Sequence, residues 1–201
     1  MAKKKTEKRA PDPVTEAAAR AAADLAELGA RFALVGGLAV SVWGEPRYTR
    51  DVDLAVGVDL DEEAERLVRE LSVRNYEIVT IIEQTRTNRL ATARLRRAED
   101  RSVFIDLLFA SSGIERELAA AAVRVDDVPV SPVGHLLALK VLSESDRRLQ
   151  DRIDIQELAK VATAEDWRTA KAMVRLIKER GFHRGRALLT RLRRWQRSTP
   201  P

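Results

Sequence analysis

Leu34-Val35-Gly36-Gly37-Leu38-Ala39 and, shortly after it, Arg47-Tyr48-Thr49-Arg50-Asp51-Val52-Asp53-Leu54 form the stretch that decides the fold. Residues two apart in an extended strand point to the same face, so Asp51 and Asp53 stand together. Two adjacent carboxylates repel unless a cation lies between them, and an oxygen-only donor set suits a hard ion such as magnesium. The glycine pair by itself reads as a tight turn. With paired acids downstream it gains a second meaning. Two glycines let the backbone come close to a phosphate, and the helix start that follows offers free amide donors.

A third acid lies far downstream in Ser102-Val103-Phe104-Ile105-Asp106-Leu107-Leu108-Phe109, an apolar run of strand character. A lone aspartate in a buried strand is costly unless its charge is compensated. If this strand lies beside the first, Asp106 joins Asp51 and Asp53. With these residues in view the chain resembles the nucleotidyltransferase superfamily of polymerase β-like fold: a glycine turn, an acid-apolar-acid strand, and a third acid on a later strand. Gly36-Gly37 with Arg47, Thr49, Asp51 and Asp53 is similar, more narrowly, to the AbiEii/AbiGii-type toxin nucleotidyltransferases. The narrower resemblance continues through Ser131-Pro132-Val133-Gly134-His135-Leu136-Leu137-Ala138-Leu139-Lys140 and Arg148-Leu149-Gln150-Asp151-Arg152-Ile153-Asp154-Ile155, and spans about Phe32 to about Leu158.

The resemblance implies a mixed sheet flanked by helices, an α+β core, followed by a helical region. It implies a nucleoside triphosphate as substrate, two magnesium ions, and transfer of a nucleoside monophosphate to an acceptor hydroxyl. Asp51 and Asp53 resemble the pair that ligates both metals. Asp106 resembles the third carboxylate, which holds the metal next to the acceptor hydroxyl and helps deprotonate it. Gly36 and Gly37 would face the triphosphate. The acceptor implied by toxin relatives is RNA, above all a tRNA end, with a cognate antitoxin as protein partner. A protein side chain or a small molecule such as an aminoglycoside is the alternative acceptor. A non-catalytic nucleotide-sensing module is the reading from another class, and the presence of all three carboxylates argues against it.

Arg47 and Thr49 lie just before the acidic strand, where a guanidinium and a hydroxyl can reach phosphate oxygens; Arg47 also reads as a surface charge after Pro46. Lys140 sits in the apolar run Leu136 to Leu142 and needs an anion. A triphosphate or Asp154 would serve. Asp151 and Asp154 read as acids favouring a helix start, while the resemblance gives Asp154 a place in the site.

The 201-residue chain has no cysteine, which excludes disulfides and thiolate metal sites, and its two histidines do not build a zinc centre. Both His135 and His183 read as structural. No segment approaches the roughly 20 apolar residues of a membrane span, and Lys3-Lys4-Lys5 precedes no apolar segment of signal-peptide type, so the expected location is the cytoplasm. A net charge of +5 permits a nucleic-acid partner without requiring one. Arginines cluster at 86, 89, 94, 96 and 97 and at 184, 186, 191, 193, 194 and 197. The first cluster reads as a solvated face. The second contains Trp195, so charge and a stacking surface coincide there; Trp43 and Trp167 read as core.

Residues 1–11 read as a disordered basic tail, 12–131 as the nucleotidyltransferase core and 132–201 as a helical region. Within the core the patterns predict a helix from Asp12-Pro13 to about Gly29, a strand at Phe32–Val35, and a helix ended by Gly44 and Pro46. They continue with a strand at Val52–Val56 and a helix at Asp61–Arg74. Strands at Glu77–Ile82, Leu90–Leu95 and Val103–Phe109, a helix from about Ile114, and a strand pair turning at Asp126-Asp127 complete it.

Overall fold

The computed structural model describes residues 12–85 and 87–198. The expected basic tail at 1–11 and Arg86 of the first arginine cluster lie outside the described residues. The chain opens with α1 (Pro13–Glu27), which has proline in its first turn and hands over to a glycine at φ +69°. Next comes β1 (Phe32–Val35), buried along its whole length. It runs without a linker into α2 (Gly36–Trp43) because Gly36 adopts φ +67° at the junction.

The acidic strand is β2 (Asp51–Val56). It alternates at its start and is buried after Asp53, so it enters the core from a cleft. After α3 (Asp61–Val73), the hairpin β3 (Tyr76–Gln84) and β4 (Arg89–Arg97) is longer at both ends than the alternation predicts. Pairing along the full hairpin, from Tyr76 opposite Arg97 to Gln84 opposite Arg89, is what extends it. β5 (Phe104–Leu108), α4 (Glu115–Ala120) and the ribbon β6 (Val123–Val125) and β7 (Val128–Val130) follow. Asp126 and Asp127 form the ribbon's turn, both at positive φ.

Among the described residues these strands make one mixed seven-stranded sheet in the order β3-β4-β5-β2-β1-β7-β6. Its registers matter for function. β2 is antiparallel to β1, with Asp53 opposite Val35, and parallel to β5, with Asp53 opposite Asp106. β5 is in turn antiparallel to β4, with Asp106 opposite Arg94. The third acid is thus level with the pair, on the same face.

Beyond Pro132 the described chain is helical: α5 (Val133–Ser143), α6 (Leu149–Val161), α7 (Ala164–Glu179) and α8 (Leu188–Ser198). α5 is enclosed by α2, α6, α7 and α8 and is buried almost all round, as its apolar composition requires. It carries Lys140 into the interior. His135 lies on this helix, and burial pulls its pKa below the ordinary range. Trp167 is buried, and Trp43 donates from Nε1 to the Ser131 carbonyl at 2.8 Å.

Trp195 departs from its sequence reading. It packs against the core, and its Nε1 donates to Glu144 Oε2 at 3.2 Å, so the ring anchors α8. Glu144 is buried and also pairs with Arg152 and Arg194, while Arg191 bonds its carbonyl. Such a carboxylate gathers arginines at its rim, Arg194 staying exposed as the sequence pattern implies. No helix among the described residues is long and apolar enough to cross a membrane.

Candidate active site

Asp51 and Asp53 stand at the cleft end of β2 and Asp106 beside them on β5. Asp106 is buried and is held by Arg94 of β4. The guanidinium Nε donates to Oδ1 at 2.8 Å and Nη2 to Oδ2 at 2.7 Å. Arg94 also lies 3.8 Å from Asp51 and over the Phe104 ring at 5.2 Å. This two-point hydrogen bond raises the Arg94 pKa further. Asp53 has no hydrogen bond or ion pair among the described residues. Burial first, then the charges of Asp106 and Asp51, outweigh Lys140 and Arg94 and push its pKa up to about 6. The face carries more negative charge than it neutralises.

Sequence reasoning counted Arg94 only as part of a basic cluster. The remaining described members of that cluster are spent on acids too: Arg89 on Asp61, Arg96 on Glu77, and Arg97 on Glu99 and Asp24. The solvated-face expectation thus becomes a paired one.

The glycine turn packs on the acids. A Cβ at Gly36 would run into the Asp53 carboxylate, and one at Gly37 into the Arg47 guanidinium. Gly36→Ala is therefore expected to destabilise the fold by about 1–3 kcal/mol, combining left-handed strain with collision, and to lower transfer at least tenfold by displacing Asp53. Gly29→Ala supplies the control, since Gly29 has φ +69° but open space around its Cβ direction. Equal melting temperatures and activities for the two variants would refute the packing argument.

Lys140, Asp154 and Arg47 form a second cluster. Lys140 Nζ lies 2.7 Å from Asp154 Oδ2 and 3.4 Å from Asp151 Oδ1. Arg47 donates from Nη2 to Asp154 Oδ2 at 3.0 Å, with Nε 2.8 Å from Oδ1, and Gln150 donates to Oδ1 at 3.1 Å. Asp154 is fully buried. Burial works against its charge, but Lys140, Arg47 and Gln150 together hold its pKa below the ordinary range. Asp154, one of the two anions open to Lys140, is in contact with it, as is Asp151. Asp154 does not stabilise the helix start. Asp151 is the acid in the first turn of α6, whereas Asp154 is one turn further on and committed to cations. Arg47 is likewise an interior tie, not a free surface charge, and Thr49 donates to the Asp51 carbonyl at 3.4 Å.

Six of the predicted residues line one of two cavities. Gly36, Asp53, Asp106 and Lys140 line one of about 270 Å³. Arg47 and Thr49 line a wider one of about 1000 Å³ on the other side of α2, with Leu38 and Val125. Gly37 touches the Arg47 side. The structure therefore gathers Asp53, Asp106, the first glycine and the lysine around one cavity, while Arg47 and Thr49 line the other, Arg47 joined to Lys140 through Asp154 and Thr49 bonded to the Asp51 carbonyl.

The donor set fits a hard divalent cation: three carboxylates on one sheet face, one of them, Asp53, without a partner among the described residues. Arg94 occupies both oxygens of Asp106, and no three acidic or histidine side chains among the described residues converge on a single ion position. Arg94→Met is expected to bind manganese about tenfold more tightly in a calorimetric titration, because it frees Asp106, and to melt lower in chelator. Unchanged manganese affinity would show that the guanidinium does not compete with the ion.

A search of curated proteins finds no match. Among solved structures, an antigenic nucleotidyltransferase-like protein from Paracoccidioides brasiliensis aligns over 90% of this chain and 92% of its own, with TM-score 0.50 and 20% identity, a likeness of fold. The lincosamide antibiotic adenylyltransferase LnuA, solved with lincomycin, aligns over 75% of this chain and all of its own (100%), with TM-score 0.49 and 15% identity. A family model described as "Nucleotidyl transferase AbiEii toxin, Type IV TA system" matches residues 20–200. With the glycine turn set against an acid pair and a third acid level on the neighbouring strand, this match establishes that the chain belongs to the AbiEii nucleotidyltransferase family.

Proposed function

We propose that this nucleotidyltransferase moves a nucleoside monophosphate from a nucleoside triphosphate onto a hydroxyl of RNA, most simply a tRNA end, and serves as the toxin of a toxin and antitoxin pair. The observation that carries the reading is Asp53, without a hydrogen bond or ion pair among the described residues, set between Asp51 and Asp106 and against the Gly36 turn. Asp51, Asp53 and Asp106 would hold two magnesium ions. When bound, these supply charge neutralisation at the α-phosphate and at the leaving oxygen.

The remaining work falls to the chain. Gly36 keeps the space beside Asp53 open to a phosphate. Asp106, fixed in direction by Arg94, orients the acceptor hydroxyl and takes its proton. The hydroxyl oxygen bonds to the α-phosphorus, the bond from that phosphorus to the bridging oxygen breaks, and pyrophosphate leaves. Lys140 and Arg47, joined through Asp154, hold α5, α6 and the segment before β2 in register around the cleft. For the acceptor, the net charge of +5 and the exposed Arg193 and Arg197 of α8 favour an anionic polymer.

The test is incubation of the purified protein with each of four α-labelled nucleoside triphosphates, magnesium, and total bacterial RNA with protein extract. Label is expected in a tRNA-sized band and absent with Asp51→Ala/Asp53→Ala. Label in protein would move the acceptor to a side chain. Induced expression is expected to arrest a bacterial host unless Asp53 is replaced or the antitoxin is co-expressed; equal toxicity of wild type and Asp53→Ala would remove catalysis from the explanation.

A further inference from the structure

Between α7 and α8 the chain turns through Gly181-Phe182-His183-Arg184-Gly185. Arg184 itself adopts φ +52°, a conformation that a long side chain rarely takes. The turn aims its guanidinium back toward the sheet, where Nη2 donates to the Ser111 carbonyl at 3.0 Å, just beyond β5. Arg184 thereby lines the carboxylate cavity together with Asp53, Asp106, Lys140 and Arg148.

The cations of this cavity are not equivalent. Lys140 is matched by Asp154 and Asp151, and Arg148 lies 3.0 Å from Asp151. Arg184 has no ion pair among the described residues. Its residue is exposed at the rim, yet desolvation of the guanidinium, followed by repulsion from Arg186 and Arg148, pulls its pKa down. The cavity therefore has acids short of cations on its inner wall and a cation short of acids at its mouth. A ligand that is complementary to both carries a metal ion at one end and a run of negative charge leading outward. A polyphosphate chelating a divalent ion has that form.

We infer that Arg184, assisted by Arg148, binds the two terminal phosphates of the nucleoside triphosphate, the part that departs as pyrophosphate. The inference rests on the nucleotidyl-transfer reading and adds the leaving-group site to it. As the bond from the α-phosphorus to the bridging oxygen breaks, negative charge builds on that oxygen and spreads over the pyrophosphate, and the guanidinium at the mouth neutralises it. Arg184 also lines the neighbouring cleft of about 620 Å³. A nucleic-acid strand there is the competing occupant. The shared cavity with Asp53 and Asp106 favours the polyphosphate.

The experiment is calorimetric titration of the full chain, in magnesium, with inorganic pyrophosphate, with each nucleoside triphosphate, and with the matching monophosphates. Arg184→Gln is expected to weaken pyrophosphate and triphosphate binding at least tenfold and to leave monophosphate binding unchanged. Arg184→Lys should recover part of the loss, and Arg148→Gln should weaken pyrophosphate about threefold. Should Arg184→Gln fail to fold, the Lys and Arg148 variants carry the test. Unchanged pyrophosphate affinity in the Arg184 variants, or loss of single-stranded RNA binding alone, overturns the inference in favour of an acceptor contact. Absence of pyrophosphate binding by the wild type overturns it also. Lost pyrophosphate binding in the variants, in a wild type that labels no acceptor, would keep the anion site and sink the transfer reading instead.

Discussion

Asp53→Asn is expected to lose nucleotidyl transfer by roughly a thousandfold or more while melting higher than the wild type in chelator. The two effects share one cause. Asp53 is half-buried between two other carboxylates with no hydrogen bond or ion pair among the described residues, and desolvation with its like-charged neighbours pushes its pKa from 3.8 to about 6. For an acid whose folded pKa is raised, the protonated form is the one that suits the fold. The penalty therefore grows as pH climbs from 3.8 to about 6 and is fully present above that, amounting to about 3 kcal/mol. An amide of the same shape removes most of it, a gain of a few degrees in melting temperature for a chain of this size. Magnesium should reverse the order, stabilising the wild type and not the variant. Thermal melts in chelator and in magnesium, beside the labelling assay, check all three statements. An Asp53→Asn protein that transfers normally would take the acid pair out of the chemistry.

The largest loss of stability is expected at Asp154. It is fully buried and answers two cations, Lys140 at 2.7 Å and Arg47 at 2.8 Å. Asp154→Ala would leave Lys140 buried with only the more distant Asp151, at a cost of about 3–5 kcal/mol. Adding Lys140→Met to Asp154→Ala should restore part of that loss, because the uncompensated charge goes with it. Denaturant melts of the two singles and the double form a cycle whose coupling measures the pair. If the double is less stable than Asp154→Ala alone, the cluster is not held by charge pairing. The cluster also ties α5 and α6 to the segment leading into β2, so the Asp154→Ala protein that survives should bind triphosphate less tightly.

Local rules made much of this protein readable. A period of two puts Asp51 and Asp53 on one face whatever surrounds them. Pro13 and Gly29 bracket α1 because one lacks an amide hydrogen that a first turn does not need and the other accepts φ +69°. The apolar run around Lys140 announces a buried cation before its partner is known. Each of these depends on neighbours along the chain.

What sequence could not supply is register and reach. Asp53 faces Asp106 because β2 and β5 pair in parallel, and Asp106 is claimed by Arg94 because β4 pairs with β5 one strand further out. A shift of one residue in either ladder would turn these side chains to the other face. Arg47 meets Asp154 across 107 positions of sequence, and Trp195 meets Glu144 across 51. Charge and ring alone had read Arg47 as a phosphate contact or a surface charge and Trp195 as a stacking surface, with no hint of either partner. The chain thus determined which chemical groups the site has and which strand face carries the acid pair, since those follow from residue type and backbone period. The tertiary structure decided which cation answers which acid and left Asp53 and Arg184 without an ion pair among the described residues, because pairing across strands and helices depends on distances that no local pattern encodes.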